Sequence, residues 1–126
     1  MTILLVDDNP LSRELMRELL ETSGHVIMEA VNGRNALDLI HRNRPDLVFL
    51  DLQMPALDGF SVIRELRKDI RFQSLAVVAV TASAMLGTRE RAIAAGFDSY
   101  IAKPIDLGEV EKLVELFSSP HPRLGK

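Results

Sequence analysis

Acidic residues follow two apolar runs of the sequence, and a hydroxyl and an ammonium group follow two others. The five residues are Asp7 and Asp8 after residues 3–6, Asp51 after residues 47–50, Thr81 after residues 77–80, and Lys103 after residues 100–102. Continuous apolar runs of this kind are typical of parallel strands that are buried on both faces. Because open α/β sheets bind ligands at the carboxyl ends of their strands, we expect the five groups to share one site.

The chemistry of this set indicates a divalent cation beside an anion. Three carboxylates held together repel one another unless a cation lies among them. Taken one at a time, the residues have plainer interpretations. Asp7 or Asp8 could simply cap a helix, Thr81 is a common residue at a strand end, and a lone lysine is usually solvated. Their shared position after successive strands favours the metal and anion site.

Five alternations of strand and helix are predicted to position these groups. The strands are predicted at residues 3–6, 26–30, 47–50, 76–80 and 99–102. The helices are predicted to begin at Asn9-Pro10, Asn32-Gly33 and Asp58-Gly59, and then to span residues 88–95 and 106–117. Strands joined by helices pair in parallel through right-handed crossovers. The pattern therefore predicts an α/β domain with a parallel sheet.

Composition excludes several other classes of protein. The chain has 126 residues, enough for one domain, and a formal net charge of -3. Its Lys and Arg residues are scattered, so we expect no direct binding of nucleic acid. The absence of cysteine excludes disulfides and thiolate chemistry and fits a cytoplasmic location. No apolar stretch is long enough to span a membrane, and no signal peptide is recognisable, so no membrane insertion is expected.

Four motifs in this order resemble the receiver domain of two-component response regulators, in the CheY-like superfamily. They are ILLVDDN at residues 3–9, DLQMP at 51–55 with DG at 58–59, VTA at 80–82, and KP at 103–104. The resemblance covers residues 1–117. It implies a flavodoxin-like, doubly wound (βα)5 fold with strand order 2-1-3-4-5. Residues 118–126 are predicted to be a flexible tail or the start of a linker.

The resemblance also implies how each site residue acts. Asp51 would accept a phosphoryl group from a phosphohistidine of a sensor histidine kinase or a histidine phosphotransfer protein. Thr81 and Lys103 would each contact a phosphoryl oxygen. A Mg²⁺ or Mn²⁺ ion would be held by Asp8 directly and by Asp7 through water. Asp51 and the backbone carbonyl of Gln53 would complete the metal ligands supplied by the protein.

A switch is implied as well, so the chain is expected to be a signalling protein and not an enzyme. When Thr81 turns toward the phosphoryl group, Tyr100 would rotate inward. The surface of the fourth helix, fifth strand and fifth helix would then change for a downstream protein partner. The family also has a cis peptide bond before the residue equivalent to Pro104. Whether Met85 and Leu86 belong to the core or to an exposed patch is left open by the sequence.

Two forms of this function stay open. The chain could be a stand-alone relay regulator, which the stretch at residues 77–85 favours. It could also be a receiver module cut from a larger transcription factor, output enzyme or hybrid kinase. A flavin protein or a phosphatase on a similar sheet is disfavoured. A flavin protein is disfavoured because the acidic loop at residues 7–10 would repel the phosphate of the flavin. A phosphatase is disfavoured because no insertion in the sequence could supply a substrate cap.

Overall fold

Five parallel strands alternate with five α-helices in the computed structural model, which describes residues 1–54, 57–82 and 85–118. The strands are β1 (Thr2–Val6), β2 (Val26–Ala30), β3 (Leu47–Asp51), β4 (Ala76–Thr81) and β5 (Ser99–Ala102). The helices are α1 (Pro10–Thr22), α2 (Gly33–Asn43), α3 (Gly59–Lys68), α4 (Thr88–Ala95) and α5 (Leu107–Ser118). A short 3₁₀ helix at Ile70–Phe72 follows α3 and was not predicted.

The sheet has the strand order β2-β1-β3-β4-β5, with every neighbouring pair parallel. This confirms the flavodoxin-like (βα)5 fold that was expected from the sequence. The register aligns Val6 with Leu50, Asp51 with Val80, and Thr81 with Ala102. The carboxyl ends of β1, β3, β4 and β5 therefore meet along one edge of the sheet.

Helices cover both faces of the sheet, which explains why the central strands are apolar up to their last residues. On β3, Val48 and Leu50 contribute to a core cluster under α2, α3 and α4. Leu47 and Phe49, which alternate with them, contribute to a second cluster under α1 and α5. Every residue of β3 and β4 is buried. A strand with a core on each side has no polar face, as the continuous apolar runs predicted.

Helix starts were predicted well because the capping chemistry is local. The side-chain oxygens of Asn9, Asn32 and Asp58 accept hydrogen bonds from backbone N–H groups in the first turns of α1, α2 and α3. Helix α5 begins one residue later than predicted, because Asp106 caps it from outside. Its Oδ1 accepts the N–H of Gly108 at 2.8 Å.

Two strands extend one residue further than the apolar pattern indicated. Asp51 and Thr81 are themselves the last residues of β3 and β4. The neighbouring backbone explains this, since Leu52 N–H donates to Val80 at 2.8 Å and Lys103 N–H donates to Thr81 at 2.7 Å. Ser118 ends α5 instead of beginning a tail. The rest of the predicted tail, residues 119–126, lies outside the described residues.

Helix α4 has no side-chain cap at its N-terminus. Its N-cap residue is Gly87, which has φ of 87° and supplies no side-chain hydrogen bond. Only Thr88 and Ala92 of this helix are buried. The guanidinium of Arg91 lies 5.2 Å from the centre of the Phe60 ring on α3, which adds a cation–π contact. None of the helices in the described parts of the chain has the length and apolar character of a membrane span.

Candidate functional site

Three carboxylates gather at the carboxyl edge of the sheet. One oxygen from each of Asp7, Asp8 and Asp51 lies within 4.8 Å of the other two. Asp7 and Asp51 are buried, at 7% and 3% exposure, whereas Asp8 faces solvent. The sequence-based expectation placed these residues at one site, and the structure brings them together.

Lys103 joins two of the carboxylates. Its Nζ lies 3.0 Å from Asp7 Oδ2 and 3.2 Å from Asp51 Oδ2. The peptide bond between Lys103 and Pro104 is cis, as the resemblance implied. One cation thus sits between two buried anions, with the third carboxylate beside them in solvent.

Asp51 is held in place at both of its oxygens. Oδ1 accepts the backbone N–H of Gln53 at 2.9 Å, and Oδ2 faces the Lys103 ammonium. Gly59 lets the following helix approach this strand end. A Cβ at Gly59 would lie 2.6 Å from the Asp51 carbonyl oxygen and 2.9 Å from Leu52 Cα, so any side chain there would displace the loop.

The electrostatics of Asp51 reflect opposing influences. Burial raises the pKa of its carboxyl, the Gln53 N–H lowers it, the charge of Asp7 raises it, and Lys103 lowers it. The net result is a pKa of about 6. For Lys103, burial works to lower the pKa, but the hydrogen bond to Asp7 and the charges of both carboxylates outweigh it and raise the pKa. At neutral pH the site therefore contains an ionised Asp51 and a protonated Lys103.

Asp7 is anchored through its backbone as well as its side chain. Its Oδ1 accepts the N–H of Asn9 at 2.9 Å, and its carbonyl accepts Nη1 of Arg13 at 2.6 Å. Nε of Arg13 also pairs with Glu29 Oε1 on β2 at 2.9 Å. Sequence analysis did not identify Arg13, because a contact to a carbonyl oxygen leaves no motif. The only feature that could have indicated its role is its position one turn after Asn9, on the side of α1 that faces β2.

Thr81 is fully buried and lies next to the side chain of Gln53. Its Oγ1 donates to Gln53 Oε1 at 2.9 Å, and the backbone N–H of Ala82 donates to the same oxygen at 3.1 Å. Sequence analysis assigned a role only to the backbone carbonyl of Gln53. The structure adds its side-chain amide to the site.

Thr81 and Tyr100 are the two residues that were expected to form the switch. Tyr100 on β5 is half-buried and packs against the core cluster beneath α2, α3 and α4. Because Ala79 pairs with Tyr100 and Thr81 pairs with Ala102, Thr81 and Tyr100 lie on the same face of the sheet.

The sequence left open whether Met85 and Leu86 belong to the core or to an exposed patch. Their exposed fractions are 71% and 105%, so they form an exposed apolar patch.

The donor atoms of the site fit Mg²⁺ or Mn²⁺. Both ions prefer hard oxygen ligands, and Mg²⁺ is usually held by one or two carboxylates while it retains several waters. Exposed Asp8 can coordinate an ion that retains several of its waters, and buried Asp7 and Asp51 lie behind it. The structure contains no cysteine or histidine ligand group beside these carboxylates, within the parts that it describes.

A parallel α/β sheet with clustered aspartates, a lysine and a buried threonine at its carboxyl edge is the arrangement expected of a receiver protein. The chain belongs to the response regulator receiver domain family, whose family model matches residues 3–115. This membership agrees with the resemblance seen in the four motifs.

Relatives and solved structures agree with this family. The chain is 39% identical over 118 residues to the polar-differentiation response regulator DivK of Brucella anthropi, covering 94% of both chains. A putative response regulator from Chloroflexus aurantiacus superposes with a TM-score of 0.87 at 28% identity, covering 92% of this chain and 95% of that one. The receiver domain of a sensor histidine kinase from Pseudomonas aeruginosa superposes with a TM-score of 0.85 at 32% identity. That match covers 94% of this chain and 98% of the other, and its structure holds a magnesium ion in the active-site cleft.

Proposed function

We propose that this receiver accepts a phosphoryl group on Asp51 from a phosphohistidine of a partner kinase or phosphotransfer protein. The observation that carries the proposal is the position of Lys103 Nζ between Asp51 and Asp7, at 3.2 Å and 3.0 Å. An ammonium held against a nucleophilic carboxylate is well placed to pair with an oxygen of an incoming phosphoryl group.

The transfer is a displacement at phosphorus. An oxygen of ionised Asp51 forms the new P–O bond, and the P–N bond of the phosphohistidine breaks. The electron pair of that bond stays on the imidazole nitrogen, which takes up a proton. The product is an acyl phosphate on Asp51 and a neutral histidine on the partner. Such a step depends mainly on positioning and on stabilisation of charge, and Lys103 and Thr81 supply donors for both.

Asp7, Asp8, Asp51 and the backbone carbonyl of Gln53 would hold Mg²⁺ or Mn²⁺. When bound, the ion supplies positive charge that neutralises the carboxylates and the phosphoryl oxygens. Asp8 is the residue best placed for direct coordination because it is the exposed member of the cluster. Asp7 is buried, accepts the Asn9 N–H and faces Lys103, which supports contact through water.

An apolar groove beside Lys103 is the surface proposed for the phosphohistidine donor. It has a volume of about 260 Å³ and is lined by residues of α1 and of the segment after β5. Leu11 and Leu15 on α1 are 63% and 50% exposed, and Leu107 is 39% exposed. A partner covering these side chains would bury apolar surface within reach of the site.

The output surface is proposed to be the one formed by α4, β5 and α5. Phosphorylation draws Thr81 toward the phosphoryl group, and Tyr100 on the same face of the sheet then moves inward. Helix α4 can respond because its N-terminus has no side-chain cap, and Met85 and Leu86 before it and Ile93 on it expose apolar surface. A downstream protein would recognise the changed surface. The protein would act in this way as a signalling switch, without turning over an external substrate.

A second form of the same function is a receiver module of a larger protein. One relative is a response regulator that matches this chain nearly end to end, and one solved structure is a receiver domain of a sensor histidine kinase. The length of the native reading frame distinguishes the stand-alone relay from the module.

Intact-mass measurement after incubation with acetyl phosphate and Mg²⁺ tests the proposal. The wild-type protein should gain the mass of one phosphoryl group, and the gain should need the metal. Asp51→Asn should gain none. A matched control is Asp38→Asn, which changes an exposed carboxylate on α2 far from the site and should leave the gain intact. Equal phosphorylation of Asp51→Asn would refute the assignment.

A further inference from the structure

The side-chain amide oxygen of Gln53 accepts hydrogen bonds from two donors at the site. Its Oε1 accepts the Thr81 hydroxyl at 2.9 Å and the Ala82 backbone N–H at 3.1 Å. An amide oxygen has two lone pairs, so these two bonds use its full capacity. Gln53 is itself exposed, and its side chain reaches over the end of β4 from the loop after β3.

We propose that Gln53 is a displaceable latch, whose amide oxygen stands in for a phosphoryl oxygen while Asp51 is unmodified. The inference rests on the proposed function, in which Thr81 donates to a phosphoryl oxygen on Asp51. Thr81 cannot donate its one hydroxyl hydrogen to Gln53 and to a phosphoryl oxygen at once. Phosphorylation must therefore displace the Gln53 amide before Thr81 can turn.

The geometry favours a latch over a chance surface contact. Gln53 N–H donates to Asp51 Oδ1 at 2.9 Å, so the backbone of the same residue is fixed at the phosphorylation site. Both donors that Oε1 engages lie at the end of β4, and Thr81 is fully buried. One residue therefore connects the acceptor carboxylate to the first element of the switch.

The hydrogen bonds of the latch are expected to be strong enough to affect phosphoryl binding and weak enough to break when a phosphoryl group is present. A hydrogen bond within a protein stabilises by a modest amount once the competing bonds to water are counted. The bond from the Thr81 hydroxyl is the one that a phosphoryl oxygen must replace, and one bond of this size should weaken the binding of a phosphoryl group or its mimic by about three- to tenfold. A charged phosphoryl oxygen is a stronger acceptor than an amide oxygen, so it displaces Gln53 when present.

Beryllofluoride, which mimics a phosphoryl group on aspartate, provides the test. Gln53→Met keeps the approximate length of the side chain and removes the acceptor oxygen, while the backbone carbonyl remains available to a metal. We expect Gln53→Met to bind beryllofluoride about three- to tenfold more tightly than wild type at saturating Mg²⁺, as measured by titration followed by ¹⁹F NMR. Gln73→Met changes the other glutamine of the chain, which is exposed near the opposite end of the sheet, and should leave the affinity unchanged.

Amide exchange without metal or beryllofluoride gives an independent measure of the latch. The Ala82 N–H should exchange faster in Gln53→Met than in wild type, because its acceptor has been removed. Unchanged Ala82 exchange, or unchanged or weaker beryllofluoride binding in Gln53→Met, overturns the latch alone. A wild-type protein that does not bind beryllofluoride at all overturns the proposed function, and with it the competition assigned to Gln53.

Discussion

The ammonium of Lys103 lies 3.2 Å from the carboxylate of Asp51, although the two residues are 52 positions apart in the chain. β4 separates β3 from β5 in the sheet, so the lysine side chain must reach across the end of β4 to make this contact. Because Asp51 is only 3% exposed, the ion pair with Lys103 is important for keeping the Asp51 carboxyl group ionised. A phosphoryl group on Asp51 would enter the space between the two side chains.

The raised pKa of Asp51 predicts a pH dependence of stability. In the unfolded chain the carboxyl titrates near 3.8, whereas in the metal-free fold it titrates at about 6. Between these pH values the folded state binds more protons, so stability falls as the pH rises from about 4 to about 6 and stays low above that range. Asp51→Asn should remove this slope and be more stable than wild type at pH 7 by about 1–2 kcal/mol.

Thermal unfolding of both proteins without metal, at several pH values, checks this prediction. At pH 7 the melting temperature of Asp51→Asn should exceed that of wild type by a few degrees, and the gap should close toward pH 4. Added Mg²⁺ should narrow the gap at pH 7, because it binds the folded wild type more tightly. A gap that is constant with pH would show that burial of the charge is not its cause.

Asp7 and Asp8 should differ in how much each contributes to metal binding. Asp8→Ala should lose more affinity for Mg²⁺ than Asp7→Ala in a calorimetric titration, since Asp8 is the exposed member of the cluster and the proposed direct ligand. Removing either carboxylate relieves repulsion, by about 1 kcal/mol in the metal-free protein. For Asp7→Ala this gain is offset because the bonds to Asn9 and Lys103 are lost. Unchanged Mg²⁺ affinity in Asp8→Ala would contradict its assignment as a direct ligand.

Arg13 should position Asp7 for the metal. Arg13→Met keeps the apolar stem but removes the bonds to the Asp7 carbonyl and to Glu29. It should lower stability by about 1–2 kcal/mol and weaken Mg²⁺ binding a few-fold. The control is Arg42→Met on α2, where the arginine is exposed and has no ion pair with any described residue. Loss of stability with unchanged Mg²⁺ affinity would leave Arg13 a purely structural residue.

Tyr100 should separate phosphorylation from signalling. It packs on the core under α4 and lies away from the carboxylates, so Tyr100→Ala should accept phosphate at nearly the wild-type rate. The variant should nevertheless lose the change in amide exchange that beryllofluoride causes across residues 82 and 85–95. Phosphorylation rate and exchange are measured on the same samples. An exchange response that survives in Tyr100→Ala would mean that Thr81 and Tyr100 are not coupled in the switch.

Sequence was sufficient for the fold because the relevant signals are local. The caps Asn9, Asn32 and Asp58 and the apolar strands set the order of the elements, and parallel pairing follows from that order. The clustering of Asp7, Asp8 and Asp51 was predictable because strand ends share one edge. In contrast, the contacts of Arg13 and of the Gln53 side chain depend on how α1 and the loop after β3 pack at that edge. Exposure of Met85 and Leu86 was equally unpredictable, because short loops carry no periodicity.

Locating the phosphoryl group in the sequence tests the proposal that Asp51 becomes the acyl phosphate. The phosphorylated protein is reduced with borohydride, which converts an acyl phosphate of aspartate to homoserine, and the fragments are sequenced by tandem mass spectrometry. We predict homoserine at position 51, only when both a phosphodonor and Mg²⁺ were present. Homoserine at position 7 or 8, or no conversion in a protein that has gained phosphate, would rule out Asp51 as the phosphorylated residue.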